Sequence, residues 1–390
     1  MRGPLLLIFL TIFLDLLGVG ILLPVLPYIV RTYRVDALTI GLVTLSFSAA
    51  QFFMTPVLGA LSDRYGRRPV LLISLFGTAV GYFLFGIADS LWMIYFSRIL
   101  DGVTGGNIST AQAYLADITP PQDRAKSFGL IGAAFGLGFL MGPAIGGLLA
   151  TYGLRAPAYA AAVLSLATMA LAFFFLPESL PPEKRRSGPM SSADLNPLRQ
   201  IWIALERPAL RGVMIVTFLF TLAYSQLQSH FAVYSLVRWG LNERQNAVYL
   251  TYLGFMAVFM QGFLIRRLMP IAGEKRLSLI GLGLGVGGFI ATSLAPEPWF
   301  LFVALTFLAG GSGLAMPSLN ALVSQRASPE EQGWVMGVAQ SLSSLSRVAG
   351  PLLAGVLFDW LTPAAPYWAG AAIVATALLL LRSNIAQRPA

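Results

Sequence analysis

The sequence predicts an all-α polytopic membrane protein, with twelve transmembrane helices in two six-helix bundles. The first observation is compositional: the 390 residues are 56% hydrophobic and 11% charged, against about 25% charged in soluble domains, and mean hydropathy is +0.73. The second is that the apolar residues gather into twelve segments, each long enough to cross a bilayer. Within lipid such segments are helices, since an open strand leaves its backbone unsatisfied. The third is an internal repeat. At a constant offset of 208 positions Gly102 falls on Gly310, Gly105 on Gly313, Pro121 on Pro329, Gly142-Pro143 on Gly350-Pro351 and Gly147 on Gly355.

The first six spans are expected at 5–30, 37–61, 69–89, 91–117, 124–151 and 156–177. The second six are expected at 209–235, 244–268, 275–295, 297–325, 330–358 and 363–382. The first apolar run is too long for a signal-peptide core and is read as a retained span. Residues 1–177 form the N-terminal bundle and 209–390 the C-terminal bundle. The linker, 178–208, carries Pro181-Pro182-Glu183-Lys184-Arg185-Arg186. After it Leu195, Leu198, Trp202 and Leu205 recur at helical spacing opposite Arg199 and Glu206, which reads as a short helix in the membrane interface. Lys and Arg concentrate on the side that holds both chain ends. The positive-inside rule therefore predicts cytoplasmic termini in a multi-pass protein of the cell (inner) membrane.

Composition also excludes functions. The net charge of +9 lies in short loops between apolar runs, so it argues for topology and against nucleic acid. The absence of cysteine rules out disulfides and thiolate metal sites, and a single histidine rules out a multi-histidine site. No phosphate-binding Gly-x-x-x-x-Gly-Lys-Ser/Thr loop occurs, which excludes an ATP-driven pump within the chain. No cofactor and no enzymatic activity are expected. The expected partners are a small-molecule substrate, protons and the lipid bilayer, for a monomer.

Chemistry concentrates in a few polar positions. Asp15 lies near mid-membrane, roughly ten residues into the first span at about 1.5 Å per residue. A carboxylate at that depth is paired, wetted or protonated, which suits a proton carrier or, alternatively, a structural hydrogen bond. Span four carries Arg98 and Asp101 three apart on one face, then Gly105-Gly106-Asn107. Arg98 is a fixed positive charge and Asp101 a titratable neighbour, in a coupling role or as a static buried pair. The repeat partners of Asp15 and Asp101 are Ala223 and Ala309, so proton handling belongs to the N-terminal half. Arg347 in span eleven stands where the repeat has Phe139; it either binds substrate or neutralises an acid. Gln51, Asn107, Tyr224, Gln226, Gln228 and Asn320 are further polar residues within spans and are expected to bind substrate. Tyr224 and Gln228 share one face and Gln226 and His230 another; His230 is read as an interfacial histidine.

Between spans two and three runs Gly59-Ala-Leu-Ser-Asp63-Arg64-Tyr-Gly66-Arg67-Arg68-Pro69, a very short polar loop. Asp63 and Arg67 pair if the segment is helical; alternatively the arginines only hold the loop inside. A worn copy lies near Gly262, Arg266, Arg267, Gly273, Glu274, Lys275 and Arg276. Span five reads Gly132-Ala-Ala-Phe-Gly136-Leu-Gly138-Phe-Leu-Met-Gly142-Pro143-Ala-Ile-Gly146-Gly147. Its small residues at four-residue spacing allow close helix approach.

These motifs resemble those of the major facilitator superfamily, over the whole chain. The resemblance is nearest to the twelve-span drug–proton antiporters and, among them, the bacterial tetracycline–proton antiporters. It rests on Asp15 with Gly18–Pro27, Gly59–Leu72, Arg98, Asp117, Gly132–Gly147 and Gly350-Pro351. The resemblance implies two bundles with a central site, and a cytoplasmic latch in which Arg67 meets Asp117. It implies that Gly132–Pro143 and Gly146-Gly147 form the antiporter motif, and that the chain exports small amphiphilic or drug-like compounds by proton antiport. The chain departs from the tetracycline antiporters at three places: it reads Thr78–Tyr82 where they have an acid in span three, Phe255–Val258 where they have a histidine, and Gly283–Gly288 where they have another acid. Tetracycline itself is thus not fixed as the substrate. The alternatives are a proton-linked exporter of one endogenous metabolite or lipid, and a non-transporting membrane sensor or scaffold.

Overall fold

In the computed structural model, residues 3–33, 36–119, 124–185, 196–326 and 332–386 are described. All regular structure among them is helical. The first half contains α1 (Gly3–Leu22), α2 (Leu26–Arg31), α3 (Ala37–Tyr65), α4 (Arg67–Ile87), α5 (Leu91–Thr104), α6 (Asn107–Ile118), α7 (Arg124–Leu149) and α8 (Ala156–Phe175). A short α9 (Pro197–Glu206) follows the linker. The second half contains α10 (Pro208–Trp239), α11 (Glu243–Phe259), α12 (Ile265–Leu294), α13 (Phe300–Ser324), α14 (Gln332–Trp360) and α15 (Ala365–Ala386). Nine of the described helices are long and apolar enough to cross a membrane. The other three spans are the broken pair α5–α6, then α7 and α11.

Several spans differ from the continuous helices expected. Span one breaks at residues 23–25, because Pro24 lacks an N–H and disfavours helix in the residue before it. Span four breaks at Gly105-Gly106, between α5 and α6. Between α11 and α12 the helix widens into a π segment, Met260–Leu264. The loop Gly59–Pro69 shrinks to one residue. The helix runs through Tyr65, and only Gly66 leaves it, at φ 106 and ψ 155. Gly273, inside α12, takes a similar conformation at φ 71 and ψ 165. The repeat is therefore sharper in the backbone than in the worn residues around it.

By contacts the chain forms two compact units: Met1–Val35, Ser46–Asn196 and Glu243–Thr251 in the first, and Asp36–Leu45, Pro197–Asn242 and Tyr252–Ala390 in the second. In the first unit α7 packs on α1 along a glycine seam. A Cβ on Gly138 would meet the Leu16 backbone at 3.0 Å, on Gly142 the Gly20 Cα at 2.5 Å, and on Gly146 the Ile21 carbonyl oxygen. The four-residue spacing thus puts one face of α7 against the turn of α1 that follows Asp15. Gly147 faces Ala247 of α11, while the surroundings of Gly132 and Gly136 fall outside the described residues.

The second unit builds the repeated crossing with hydroxyls. Gly350 of α14 packs on Ser225 of α10. Ser225 Oγ donates to the Ser346 carbonyl at 2.8 Å, and the Thr221 and Ser346 hydroxyls lie 2.8 Å apart. In the same unit Asp359 Oδ2 accepts from the Leu38 amide at 2.6 Å, at the start of α3. His230, expected at an interface, is fully buried, with Nδ1 2.8 Å from Ser229 Oγ; α10 turns it inward because the buried face of the helix includes Gln226 four residues earlier. In α9, Ile201 and Ala204 form the buried face and Leu198 and Trp202 are exposed.

Because the obstacle to Gly146 is backbone, Gly146→Ala is expected to cost about 1–3 kcal/mol. Gly283→Ala, which meets nothing within 4 Å, is expected to be neutral, or stabilising by up to about 1 kcal/mol through helix propensity. Melting of the two purified variants in detergent checks both.

Candidate functional site

Two polar clusters stand out in the first unit. The deeper one lies where α1, α4, α5 and α6 meet. Arg98 Nη1 is 3.0 Å from Asp101 Oδ2, and both side chains are buried. The Arg98 guanidinium lies 4.7 Å from the Phe85 ring centroid and 5.5 Å from that of Tyr82. The Thr78 hydroxyl lies 3.4 Å from that of Thr104, which donates to the Asp101 carbonyl at 3.3 Å. Close approach of α4 to α5 is possible because position 81 is glycine: a Cβ there would meet Asp101 Cβ at 2.9 Å. In Thr78–Tyr82, where the resemblance expects an acid, this chain therefore packs a glycine on the base of the Asp101 side chain of the neighbouring helix.

Asp15 is half-buried. Its partner is Asn107, whose Nδ2 donates to Asp15 Oδ2 at 3.1 Å. Asn107 begins α6, so the break in span four aims this amide at α1. The break also frees the Gly105 carbonyl, which accepts from Gln51 Nε2 at 2.8 Å. An unsatisfied carbonyl in lipid costs several kcal/mol; Gln51 removes that cost. Two residues expected to bind substrate, Gln51 and Asn107, are thus brought beside the acids.

The second cluster joins α3, α4, α6 and the start of the linker. Arg67 is buried, with Nη1 2.5 Å from Asp63 and Nε 3.1 Å from Asp117. Nη1 also donates to Ser62 Oγ at 2.7 Å, and Ser179 Oγ donates to Asp117 at 3.0 Å. Arg68 donates to the Phe173 carbonyl, and Arg64 lies over the Tyr65 ring. Gly59 packs near Ser109. Reading the sequence missed Glu178, which it placed in a polar linker. Its carboxylate accepts from the backbone amides of Arg67 (2.9 Å), Arg68 (3.3 Å), Ser179 (2.9 Å) and Leu180 (3.1 Å). Two of those amides are orphan donors at the α4 N-terminus, where negative charge is also favoured by the helix dipole. A Cβ at Gly66 would collide with Glu178 Oε2, so glycine serves both the turn and the cap.

The second unit holds the remaining polar positions. Tyr224 donates to the Leu308 carbonyl at 2.8 Å. Gln226 is buried, and neither amide atom has a hydrogen-bond partner among the described residues. Gln228, two residues on and so on the opposite face, is exposed, and Asn320 is half-buried. Arg347 is half-buried and donates to Ser344 Oγ at 2.9 Å. Among the described residues it forms no ion pair with a carboxylate.

The model of the Major Facilitator Superfamily matches residues 8–349 and, again, 247–389. The chain belongs to that superfamily. This facilitator is 34% identical to the tetracycline resistance protein, class C, of Escherichia coli, over 95% of this chain and 93% of that protein. It is also 34% identical to the class G tetracycline resistance protein of Vibrio anguillarum, over 100% and 98%. Among solved structures it is similar to the human organic anion transporter MFSD10 (TETRAN), at TM-score 0.78 and 29% identity, covering 97% of this chain and 99% of that one. The facilitator is a multi-pass membrane transporter with the twelve-helix fold of its superfamily, and not an enzyme.

Removing the Glu178 carboxylate leaves backbone donors unpaired, so Glu178→Ala is expected to cost about 1–3 kcal/mol. Glu178→Gln, which keeps one acceptor oxygen, is expected to cost less. Thermal melting ranks the variants, and trypsin cleavage after Arg185 is expected to accelerate in the same order.

Proposed function

We propose that this facilitator is a proton-coupled antiporter that exports small amphiphilic compounds by alternating access. It works as a monomer in the cell (inner) membrane, with both termini in the cytoplasm and with residues 1–177 and 209–390 as its two bundles. The observation that carries the reading is the pair of carboxylates in the first unit. Asp15 is accompanied by the neutral amide of Asn107, and Asp101 by the fixed charge of Arg98. Asp15 can gain or lose a proton without breaking an ion pair, which is what a coupling residue must do. Asp101 exchanges against a cation that stays charged. The Asp63–Arg67–Asp117 cluster acts as the cytoplasmic latch. The named activities of the relatives, tetracycline resistance and organic anion transport, support small-molecule transport.

Arg347 sets the substrate charge. A half-buried guanidinium with one neutral partner favours a ligand that brings an acceptor oxygen. Together with the unpartnered amide of Gln226, it selects neutral, zwitterionic or anionic amphiphiles over permanent monocations.

In inverted vesicles, Asp15→Asn or Asp101→Asn is expected to abolish uphill accumulation driven by a pH gradient, while at least one variant keeps substrate binding. Full gradient-driven accumulation in the double variant would refute proton coupling through these residues. In matched neutral and quaternary-ammonium series, the neutral compounds are expected to be carried better, and Arg347→Ala to narrow the difference. Equal transport of the quaternary series, unaffected by Arg347→Ala, would refute the charge assignment.

A further inference from the structure

Three buried polar atoms in the deeper cluster have no partner among the described residues: Tyr82 Oη, Arg98 Nε and Arg98 Nη2. The Arg98 guanidinium lies beside the Tyr82 ring, 5.5 Å from the ring centroid. Buried hydroxyl and guanidinium groups without partners carry a desolvation cost of about 1–3 kcal/mol or more each, so the fold retains them against a penalty. Arg98 spends Nη1 on Asp101 and keeps its Nε–Nη2 edge, a two-donor fork, open to an acceptor.

Tyr82 reaches from this fork to α1. A Cβ on Gly18 would lie 3.2 Å from its ring and 3.5 Å from its hydroxyl oxygen. Gly18 is one helical turn after Asp15 and on the same face. On its other side Gly81, the residue before Tyr82, packs on α5, where a Cβ would meet Asp101 Cβ at 2.9 Å. The ionisable groups that the neighbouring helices bring to this cluster are Asp15 from α1, with Asn107 of α6 on its carboxylate, and Arg98 and Asp101 from α5. The two acids differ in access: Asp15 is half-buried, whereas Asp101 is 2% exposed. Tyr82 touches α1 one turn after Asp15 and lies beside the guanidinium that pairs with Asp101, so its hydroxyl is placed to serve both helices that carry the acids.

We propose that Tyr82 relays protons between Asp15 and Asp101, with one or two water molecules held by its hydroxyl and the open edge of Arg98. This rests on the proton-coupled reading above. In each transfer the protonated Asp15 gives its proton to the water chain. Tyr82 accepts one proton on its oxygen as it releases its own towards Asp101, and it is neutral before and after. Only O–H bonds form and break. One proton moves from the Asp15 carboxyl to the Asp101 carboxylate, and the positive charge of Arg98 is unchanged. Tyr82 is a positioning and relay residue, and the accessible acid loads the buried one through it.

The test needs no substrate. The full chain is reconstituted in lipid and given a light-triggered pH drop, and the carboxylic C=O bands are followed by time-resolved infrared spectroscopy. The bands are assigned by their loss in Asp15→Asn and Asp101→Asn. In the unsubstituted protein the Asp101 band is expected to follow the Asp15 band. Tyr82→Phe keeps the ring that stacks on Arg98 and is expected to slow the Asp101 band by about a hundredfold, the lower range of what a positioned proton-transfer group supplies, with the Asp15 band unchanged. Asp15→Asn, which leaves Tyr82 in place, is expected to slow the Asp101 band as well, so the relay remains testable if Tyr82→Phe does not fold. An Asp101 band that rises at the original rate in folded Tyr82→Phe, or in Asp15→Asn, overturns the relay. Failure of any Asp101 carboxyl band to appear in the unsubstituted protein overturns it too. Either result leaves proton-coupled export through Asp15 standing. Failure of that broader reading shows separately, as uphill transport that survives loss of both acids.

Discussion

Inside a bilayer no water is at hand for a stray N–H or C=O, so each departure from helix has to recapture its own backbone groups. The architecture of this facilitator follows from that constraint. Two of the breaks are accompanied by a side chain that repairs them. At Gly105-Gly106 the Gln51 amide takes the freed carbonyl. At Gly66 the Glu178 carboxylate takes the first amides of α4. At Pro24 the residue brings no N–H to be satisfied. The breaks also place chemistry. The first brings Asn107 to Asp15, and the second gathers Arg67, Asp63 and Asp117 around one turn.

The same constraint governs charge. A buried ion pair is rarely a net source of stability, but removing one partner is costly, about 3–5 kcal/mol. Arg98–Asp101 and Arg67–Asp117 are therefore better understood as commitments that fix helix positions and make a change of protonation consequential. Both pairs lie in the first unit. The second unit carries Arg347, with Ser344 as its hydrogen-bond partner, and the repeat positions of the acids are Ala223 and Ala309. The two repeats thus differ in charge: Asp15 and Asp101 stand against alanines, and Arg347 against Phe139.

The helix seams show the same divergence in packing. In lipid, helices have little hydrophobic reason to associate, so close backbone contact and interhelical hydrogen bonds must hold them. The α1–α7 seam relies on Gly138, Gly142 and Gly146, and the related α10–α14 seam on Ser225, Thr221 and Ser346. The glycine seam follows Asp15 along α1 and relies on close backbone approach. The hydroxyl seam adds interhelical hydrogen bonds.

Much of this was legible from residue order alone. Hydropathy, the 208-position repeat and the polar loop determined the fold class, most span limits and the Asp63–Arg67 pair, because those signals are local or periodic; that Arg67 meets Asp117 was implied by the family resemblance. The acids Asp15 and Asp101 stood out because a charge within an apolar run is rare whatever surrounds it. Only the tertiary structure decided the rest. Glu178 read as linker because its cap joins residues 111 positions apart. Gln51 and Asn107 read as pocket residues because nothing in the sequence said that Gly105-Gly106 would break span four and leave a carbonyl to be satisfied. Tyr82 read as one more aromatic residue in an apolar helix. What gives it meaning is the guanidinium edge and the glycine of α1 that it touches, and those come from two other helices. Sequence determines which groups are expensive to bury; the crossing of helices decides which other groups they are buried with.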